Sequence, residues 1–363
     1  MGSVVQDRSV WKGALLVLLV SACGHQVDPV DDLMTLQGEA QGTTFTIKYV
    51  DPEHRDLSDE VDSILRGIDR SLSLWDPSST VSRFNESAQL VTSDPYFLEV
   101  LQLSRLAYAQ TTGAFDPTML PVLRAWGLGP RGEDELVLDS VAPRIERVDL
   151  DGILAEPPPG QDMSGEVTVT KRWPLMEFDP NGIAQGYTVD VLCEQLVRKG
   201  LTDILVEVGG EVRALGKNPT GSSWTIGIDK PLLDGRRELE TQVPLEGRSL
   251  ATSGNYRKYR EVNGRRYGHT IDPWTGHPVE HGLLSVSVIA SQCAMADAFA
   301  TALLVMGPEK AVEWAMRRSD VEVFLIMDDG AGGYATWSTA DWPGDADIKG
   351  VSLEGLLQIR SVP

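Results

Sequence analysis

The stretch DILVEVGGEVRALG, residues 203 to 216, decides the fold class. Apolar and polar residues alternate on both sides of Gly209 and Gly210, a pattern typical of strands rather than helices. The two glycines permit a bulge, or a place where a flat ring lies against bare backbone. Further strand-like runs follow at WTIGID (224–229) and SLATSG (249–254). This part of the chain is therefore expected to be rich in strands.

Helices are predicted at irregular intervals around these strands. Asp94-Pro95 opens a helix that Gly113 closes, another helix covers residues 183–200, and Ser58 caps a helix with apolar residues at helical spacing. Such an order favours an α+β fold over a regular βαβ alternation. We therefore predict a single domain with a mixed, largely antiparallel sheet core packed by helices.

The remaining segments divide into strands and loops. TTFTIKYV (43–50) and LLSVSVIA (283–290) have strand patterns, and YREVNGRRYGH (259–269) predicts a hairpin with its turn at Asn263-Gly264. Residues 129–170 contain turn and loop sequence, which predicts a surface excursion.

The N-terminus predicts export. Arg8 and Lys12 precede the apolar run ALLVLLVSA, which has the length of a signal-peptide core and is too short to span a bilayer as a helix. The run ends in VSAC, which matches the lipobox of bacterial lipoproteins with Cys23 as the lipidated residue; a simple secretory signal with an incidental cysteine is the alternative. The predicted division is a signal peptide at 1–22, a tether at 23–35, a domain at 36–345 and a tail at 346–363.

The lipobox makes the expected location extracytoplasmic and membrane-anchored, on the periplasmic side. Gly24 after Cys23 supplies no aspartate retention signal. The choice between inner and outer membrane stays open, with the inner membrane as the expected one.

The charge of the chain limits its partners. The formal net charge is −21 and residues 1–22 contribute +1 (Asp7, Arg8, Lys12), so the processed chain carries −22. This balance argues against nucleic acid as a partner. A phosphate-bearing ligand would need positive charge supplied locally. The remaining cysteines, Cys193 and Cys293, lie in apolar helical contexts that suit buried thiols, and nothing local requires a disulfide between them.

The segment CAMADAFATALLVMG (293–307) carries one carboxylate among small apolar residues. Asp297 and Thr301 are four residues apart, so on a helix both oxygens point at one spot. A buried unpaired carboxylate is costly, and a hard cation with oxygen ligands removes that cost. The pattern therefore predicts a cation at this position.

Other short motifs suggest a ligand site. Gly182 and Gly186 flank a helix start, where free N–H groups can face an anion, although the same glycines also permit tight helix packing. Arg257 and His269 are candidates for phosphate contacts. Trp75 and Phe115 are placed in polar and glycine-rich contexts, where they could sandwich an aromatic ligand or belong to the core.

Six motifs together resemble the ApbE family, the FAD:protein FMN transferases. They are GAFDPT, NGIAQGYTVD, LVEVGGEVRALG, ATSGNYRKY, GHTIDPWTGHPV and ADAFATALLVMG. The similarity runs from about residue 36 to residue 340, and the joint occurrence of the motifs in this order is far beyond chance. The resemblance implies the family's fold and its use of Mg²⁺ and FAD.

The resemblance also implies roles for individual residues. Mg²⁺ would be held by Asp297, Thr301 and the backbone carbonyl of Ala184. The expected flavin and adenine contacts are Gln41, Trp75, Ala114, Phe115, Asp116, Asn181, Gln185 and Ile271. Three positions depart from the family pattern, because Gln41 replaces a frequent methionine, Gln185 replaces a lysine and Ala300 replaces a carboxylate present in some members.

The activity implied is transfer of FMN from FAD to a threonine or serine hydroxyl of a partner protein, with release of AMP. Asp297, Arg257 and His269 are the expected catalytic residues, with Arg257 and His269 on the phosphates and either Asp297 or His269 as the base. Partners would be extracytoplasmic domains of FMN-carrying redox complexes, such as the sodium-pumping NADH:quinone reductase. The alternatives are a Mg²⁺-dependent FAD pyrophosphatase and a non-catalytic FAD-binding lipoprotein.

Overall fold

The computed structural model describes residues 32–129, 144–160, 162–163, 165–231, 238–255, 259–262, 265–268 and 270–344. The helices in these ranges are α1 Ser58–Leu72, α2 Thr80–Glu86, α3 Pro95–Gln110, α4 Leu120–Ala125, α5 Ala184–Arg198, α6 Cys293–Met306 and α7 Pro308–Ala315. The strands are β1 Leu33–Ala40, β2 Thr43–Val50, β3 Gln89–Thr92, β4 Ile153–Glu156, β5 Val167–Lys171, β6 Ile204–Val208, β7 Glu211–Leu215, β8 Trp224–Asp229, β9 Leu239–Leu245, β10 Arg248–Gly254, β11 Tyr259–Val262, β12 Arg265–Gly268, β13 Leu283–Ala290, β14 Glu322–Asp328 and β15 Tyr334–Ser338. None of these helices has the length and apolar character needed to cross a membrane.

An eight-stranded sheet forms the centre of the fold. Its strand order is β1-β2-β6-β7-β10-β13-β14-β15, and each neighbouring pair is antiparallel. Smaller antiparallel sheets are formed by β3-β5-β4, β8-β9 and β11-β12. The predicted α+β fold with a largely antiparallel sheet is confirmed. The turn residues of the β11–β12 hairpin, Asn263 and Gly264, lie outside the described residues.

The two faces of the main sheet are covered by different elements. Along β14, Val323, Leu325 and Met327 belong to the same apolar cluster as α6, whereas Phe324 and Ile326 pack in a second cluster on the other side. That second cluster also contains side chains of β8 and β9. Alternate residues of β14 thus pack into two different apolar clusters, one on each face of the sheet. This explains why the sequence of β14 is a continuous apolar run.

The Gly209–Gly210 pair is a hairpin turn between β6 and β7. Val208 faces Glu211 across the turn with no shift in register, so the expectation of a bulge is wrong. The φ angles of the two glycines are 68° and 112°, values that residues with a side chain rarely adopt. A two-residue turn with positive φ at both positions matches the right-handed twist of the strands that it joins.

Two helix starts test the capping predictions. The Asp94 carboxylate accepts hydrogen bonds from the Tyr96 and Phe97 backbone N–H groups at 3.1 and 3.3 Å, so the predicted cap of α3 is confirmed. The prediction that Ser58 caps α1 is wrong, because Ser58 is the first helical residue. The Asp56 carboxylate instead accepts a bond from the Ser58 N–H at 2.9 Å.

Several elements were not anticipated from the sequence. β4 and β5 lie within the segment expected to be a loop, and both pair in the small sheet with β3. The prediction of a surface excursion at 129–170 is therefore wrong for the residues of these two strands. β1 begins at Leu33 and pairs along its whole length with β2, so residues 33–35, which were assigned to the tether, belong to the main sheet.

Candidate active site

A cavity of about 1920 Å³ lies where the β1–β2 turn, the β6–β7 turn and helices α5 and α6 converge. Its lining contains every predicted cofactor and metal residue that the structure describes. These are Gln41, Trp75, Ala114, Phe115, Asp116, Asn181, Ala184, Gln185, Ile271, Asp297 and Thr301. Three further predicted residues, Arg257, His269 and Cys23, lie outside the described part of the chain.

Asp297 lies in the first half of α6 and is buried, with 6% of its surface exposed. One carboxylate oxygen accepts a hydrogen bond from the backbone N–H of Gly186 at 3.2 Å. Burial raises the pKa of Asp297 well above its ordinary value, and the Gly186 bond offsets part of that rise. Thr301 lies one turn further along α6, and its hydroxyl is 3.3 Å from the Ser253 hydroxyl. Both oxygens therefore reach the same cavity, as their spacing predicted.

A chain of hydrogen bonds joins the β1–β2 turn to the start of α5. The Gln41 amide donates to the Thr188 hydroxyl at 2.6 Å, and that hydroxyl donates to the Ala184 carbonyl at 2.7 Å. Gln41 has φ of 52°, the left-handed conformation of a hairpin turn with Gly42. The side-chain amide oxygen of Gln41, Oε1, is buried and has no hydrogen-bond partner among the described residues. It is therefore an unused acceptor in the cavity wall.

Asp116 and Asp179 provide two further carboxylates. The Asp116 carboxylate accepts bonds from the backbone N–H and the hydroxyl of Thr118 at 2.8 and 2.6 Å. The Asp179 carboxylate accepts a bond from the Asn181 N–H at 2.9 Å. Removal from water raises the pKa of each acid to about 6. Asp179 was not predicted, since an Asp-Pro step is a common turn starter.

Glu211 is a cavity residue that the sequence analysis missed. It is the first residue of β7, directly after the Gly209–Gly210 turn, and only 6% of its surface is exposed. One of its carboxylate oxygens has no hydrogen-bond partner among the described residues. Burial, followed by repulsion from Asp297, raises the pKa of Glu211 well above its ordinary value. The only sequence signal was an acid directly after two glycines.

The described lining is strongly acidic. It contains seven carboxylates and no lysine, arginine or histidine. The carboxylates belong to Asp69, Asp76, Asp116, Asp179, Glu211, Asp229 and Asp297. The described residues contain no cluster of three or more His, Cys, Asp or Glu side chains suited to a metal. A cation here would therefore need hydroxyl or carbonyl oxygens in addition to carboxylates.

The family model named ApbE family matches residues 41–325 of this chain. The chain belongs to the ApbE family. Among its relatives, a protein from Haemophilus influenzae named FAD:protein FMN transferase is 34% identical over 322 residues, covering 86% of this chain and 90% of that protein.

Solved ApbE structures also share this fold. The apo form of the flavinyl transferase ApbE from Pseudomonas stutzeri superposes with a TM-score of 0.74 at 34% identity, covering 85% of this chain and 95% of that one. The flavin transferase ApbE from Vibrio cholerae gives a TM-score of 0.73 at 31% identity, with 85% and 97% coverage. The sequence resemblance to the ApbE family is confirmed by these matches.

The glycines of the ApbE motif at the start of α5 serve helix packing. A Cβ atom on Gly186 would lie 2.4 Å from the Cys293 carbonyl oxygen, so α5 and α6 touch backbone to backbone there. The Gly186 N–H donates to the Asp297 carboxylate and is therefore not free to bind an anionic ligand. Of the two interpretations offered for Gly186, tight packing is the one that the structure bears out.

The two aromatic candidates of the ApbE site lie in different surroundings. Trp75 is 75% exposed, whereas Phe115 is 3% exposed and contacts the backbone near Gly182. Ile271 is buried and forms an isolated bridge with Pro278. Trp75 thus presents a ring at the opening of the cavity, while Phe115 and Ile271 close its interior.

The cysteines of the described domain form no disulfide. Cys193 and Cys293 are free and buried. Burial raises the pKa of the Cys193 thiol to about 12. Both thiols pack in one apolar cluster with β2 and α5, so they behave as small apolar side chains.

Proposed function

We propose that this chain is an FAD:protein FMN transferase that moves FMN from FAD to a threonine or serine hydroxyl of a partner protein. The proposal is carried by one observation: the eleven predicted cofactor and metal residues that the structure describes, from Gln41 to Thr301, line one cavity in a chain of the ApbE family. In this reaction the acceptor oxygen bonds to the FMN phosphorus, the pyrophosphate bond breaks, and AMP leaves with the bridging oxygen. The hydroxyl proton passes to a base on the protein.

The residues present fit a divalent cation such as Mg²⁺. The Asp297 carboxylate, the Thr301 hydroxyl and the Ala184 carbonyl line the same cavity, and all three offer the oxygen atoms that hard cations prefer. The Ala184 carbonyl accepts one hydrogen bond, from Thr188, which leaves a second lone pair for a ligand. When bound, the cation supplies positive charge to the phosphate oxygens of FAD.

The protein's own side chains orient FAD. The exposed Trp75 ring offers a surface on which a flavin or adenine ring stacks, and the free Gln41 oxygen accepts a bond from a ring N–H or a ribose hydroxyl. Gln185 lies against the Gly209 backbone at the same wall of the cavity. These contacts hold the pyrophosphate near α5 and α6.

Phosphate positioning and proton removal are assigned to the predicted catalytic residues. Arg257 and His269 hold the phosphates in line with the attacking hydroxyl. Either Asp297 or His269 takes the hydroxyl proton. Exclusion of water by the docked partner favours transfer over hydrolysis, because water at the same position would yield FMN and AMP.

The cellular context is also a proposal. Residues 1–22 act as a signal peptide, and Cys23 carries the lipid that anchors the chain on the periplasmic side of a bacterial membrane. The domain predicted at 36–345 is extended at its start by strand β1 from Leu33, and residues 346–363 form the proposed C-terminal tail. The acceptor is then an extracytoplasmic domain of an FMN-carrying membrane redox subunit.

The test is a transfer reaction read by mass spectrometry. The purified chain is incubated with FAD, Mg²⁺ and an acceptor domain from a flavinylated redox subunit, beside an Asp297→Asn variant. We expect an FMN-sized mass gain on the acceptor, matched by AMP, for the unmodified chain alone. Free FMN and AMP without labelling of several acceptors would favour a pyrophosphatase, and no FAD turnover would favour a flavin-binding lipoprotein.

A further inference from the structure

Glu211 lies within the motif LVEVGGEVRALG, from which no residue was predicted for the site. It lines the cavity together with Asp297, Ala184 and Thr301. With 6% of its surface exposed and one carboxylate oxygen lacking any partner in the described ranges, it is a buried acceptor with unused capacity. A native structure rarely keeps such an oxygen unsatisfied unless a ligand or ion completes it.

Among the described residues, none supplies a cation for this carboxylate. The described lining of the cavity contains no basic side chain. Arg213, two residues further along β7, is bound to Asp190 with a distance of 2.6 Å between its Nη1 and the carboxylate. Glu207, in the adjacent strand, adds a third negative group, and its carboxylate accepts the Gly210 N–H at 2.9 Å. The described surroundings of Glu211 are thus acidic, which favours a bound cation as its positive partner.

We propose that Glu211 is a further ligand of the divalent cation held by Asp297, Thr301 and the Ala184 carbonyl. This inference rests on the proposed function, because it assigns one more residue to the same metal site. Two carboxylates match the charge of a divalent cation, whereas Asp297 alone would leave half of that charge uncompensated. The bound cation would give the unpartnered oxygen of Glu211 a partner and would remove the repulsion between the carboxylates of Glu211 and Asp297.

The hairpin turn explains how Glu211 is held in place. Gly209 and Gly210 reverse the chain within two residues, so Glu211 starts β7 at the cavity wall. Its neighbour Val212 is paired in the ladder to both Glu207 and Leu250, which fixes the strand on both sides. Glu211 therefore lies on a rigid element, as precise metal binding requires.

The experiment is a Mn²⁺ titration of the flavin-free protein followed by electron paramagnetic resonance, because Mn²⁺ uses the same oxygen ligands as Mg²⁺. The full chain is compared with Glu211→Gln, Asp297→Asn and Glu322→Gln. Glu322 is a matched control, since it is a buried glutamate, 8% exposed, that bonds Thr339 outside the cavity. We expect Glu211→Gln to weaken Mn²⁺ binding at least about tenfold and Glu322→Gln to leave it unchanged.

Two further readouts separate this inference from the proposed function. Glu211→Gln is expected to raise the melting temperature of the metal-free protein, because a buried like-charge contact is lost, and to shrink the rise that Mg²⁺ produces. Glu211→Asp, which keeps the charge, provides a second variant should the first fail to fold, and it is expected to bind Mn²⁺ between the unmodified chain and Glu211→Gln. Wild-type affinity in the Glu211 variants, with loss in Asp297→Asn, would overturn the role of Glu211 alone. A wild-type chain that binds no Mn²⁺ with or without FAD would overturn the metal site itself.

Discussion

Replacement of Gly186 by alanine tests the contact between α5 and α6 on which the proposed metal site depends. The new Cβ would lie 2.4 Å from the Cys293 carbonyl oxygen, 2.7 Å from its carbon and 2.9 Å from the Ala294 nitrogen. Ordinary contact begins near 3.4 Å, and all three atoms belong to backbone. The two helices must therefore separate by about 1 Å, since neither backbone can rotate away as a side chain would.

The expected effects follow from that separation. Overpacking of this kind costs about 1–3 kcal/mol of unfolding free energy. Asp297, four residues after Cys293, moves with α6 and loses the Gly186 N–H bond of 3.2 Å. A displacement of about 1 Å in a reacting group can lower the rate about 100-fold. Thermal unfolding and FAD turnover at varied Mg²⁺ concentration measure the two effects.

The matched control is Gly67→Ala in α1. Its Cβ would lie 3.2 Å from the Tyr96 ring, a side chain that can shift slightly. Alanine in a helix interior gains about 0.5–1 kcal/mol over glycine, so this variant should be as stable as the original or more so, with full activity. If Gly186→Ala retained the original melting temperature and Mg²⁺ dependence, the close packing of α5 on α6 would be refuted.

Three further predictions concern other parts of the chain. Asp94→Ala removes the cap of α3 and should lower unfolding free energy by about 1–2 kcal/mol in a denaturant titration, whereas Asp94→Asn should retain most of it; equal midpoints would contradict the capping role. The Arg55 guanidinium holds the pKa of Asp51 at about 2, below its ordinary 3.8, so this pair contributes stability that is present above about pH 4 and lost as the pH falls toward 2. Asp51→Asn should therefore flatten the stability curve in that window, and an unchanged curve would show that the pair contributes nothing. Cys23→Ala should release the protein from the membrane fraction, and unaltered fractionation would disprove the lipid anchor.

Local sequence patterns predicted the elements with strong periodicity. The α3 cap at Asp94, the apolar α6 and the alternation in β2 all depend on neighbours close in sequence, and each was found as expected. β4 and β5 were missed because each is a short strand of four or five residues beside glycine and proline, and because β5 also pairs with β3, which lies much earlier in the chain. β1 was missed because the polar residues that alternate along it are also typical of a tether, and only its pairing with β2 identifies it as a strand.

The candidate site shows a similar division. Asp297 and Thr301 were predictable because one helix carries both at a spacing of four residues. Glu211 and Asp179 were not, because an acid beside glycine or proline is typical of any turn. Only the tertiary fold places the β6–β7 turn beside α6, and this placement is what buries the Glu211 carboxylate in the cavity wall.

The acidic lining of the cavity has a consequence for the order of events in turnover. FAD carries a negative pyrophosphate, and the described lining, with seven carboxyl groups and no basic side chain, offers it no positive charge while a cation is absent. Under the proposed function, we expect the cation to enter first or to arrive already bound to FAD, so that adding more metal-free FAD does not compensate for a shortage of metal. In the proposed reaction, the AMP that leaves carries a terminal phosphate of higher charge density than the bridged phosphates of FAD, so we expect the same acidic lining to favour departure of the product.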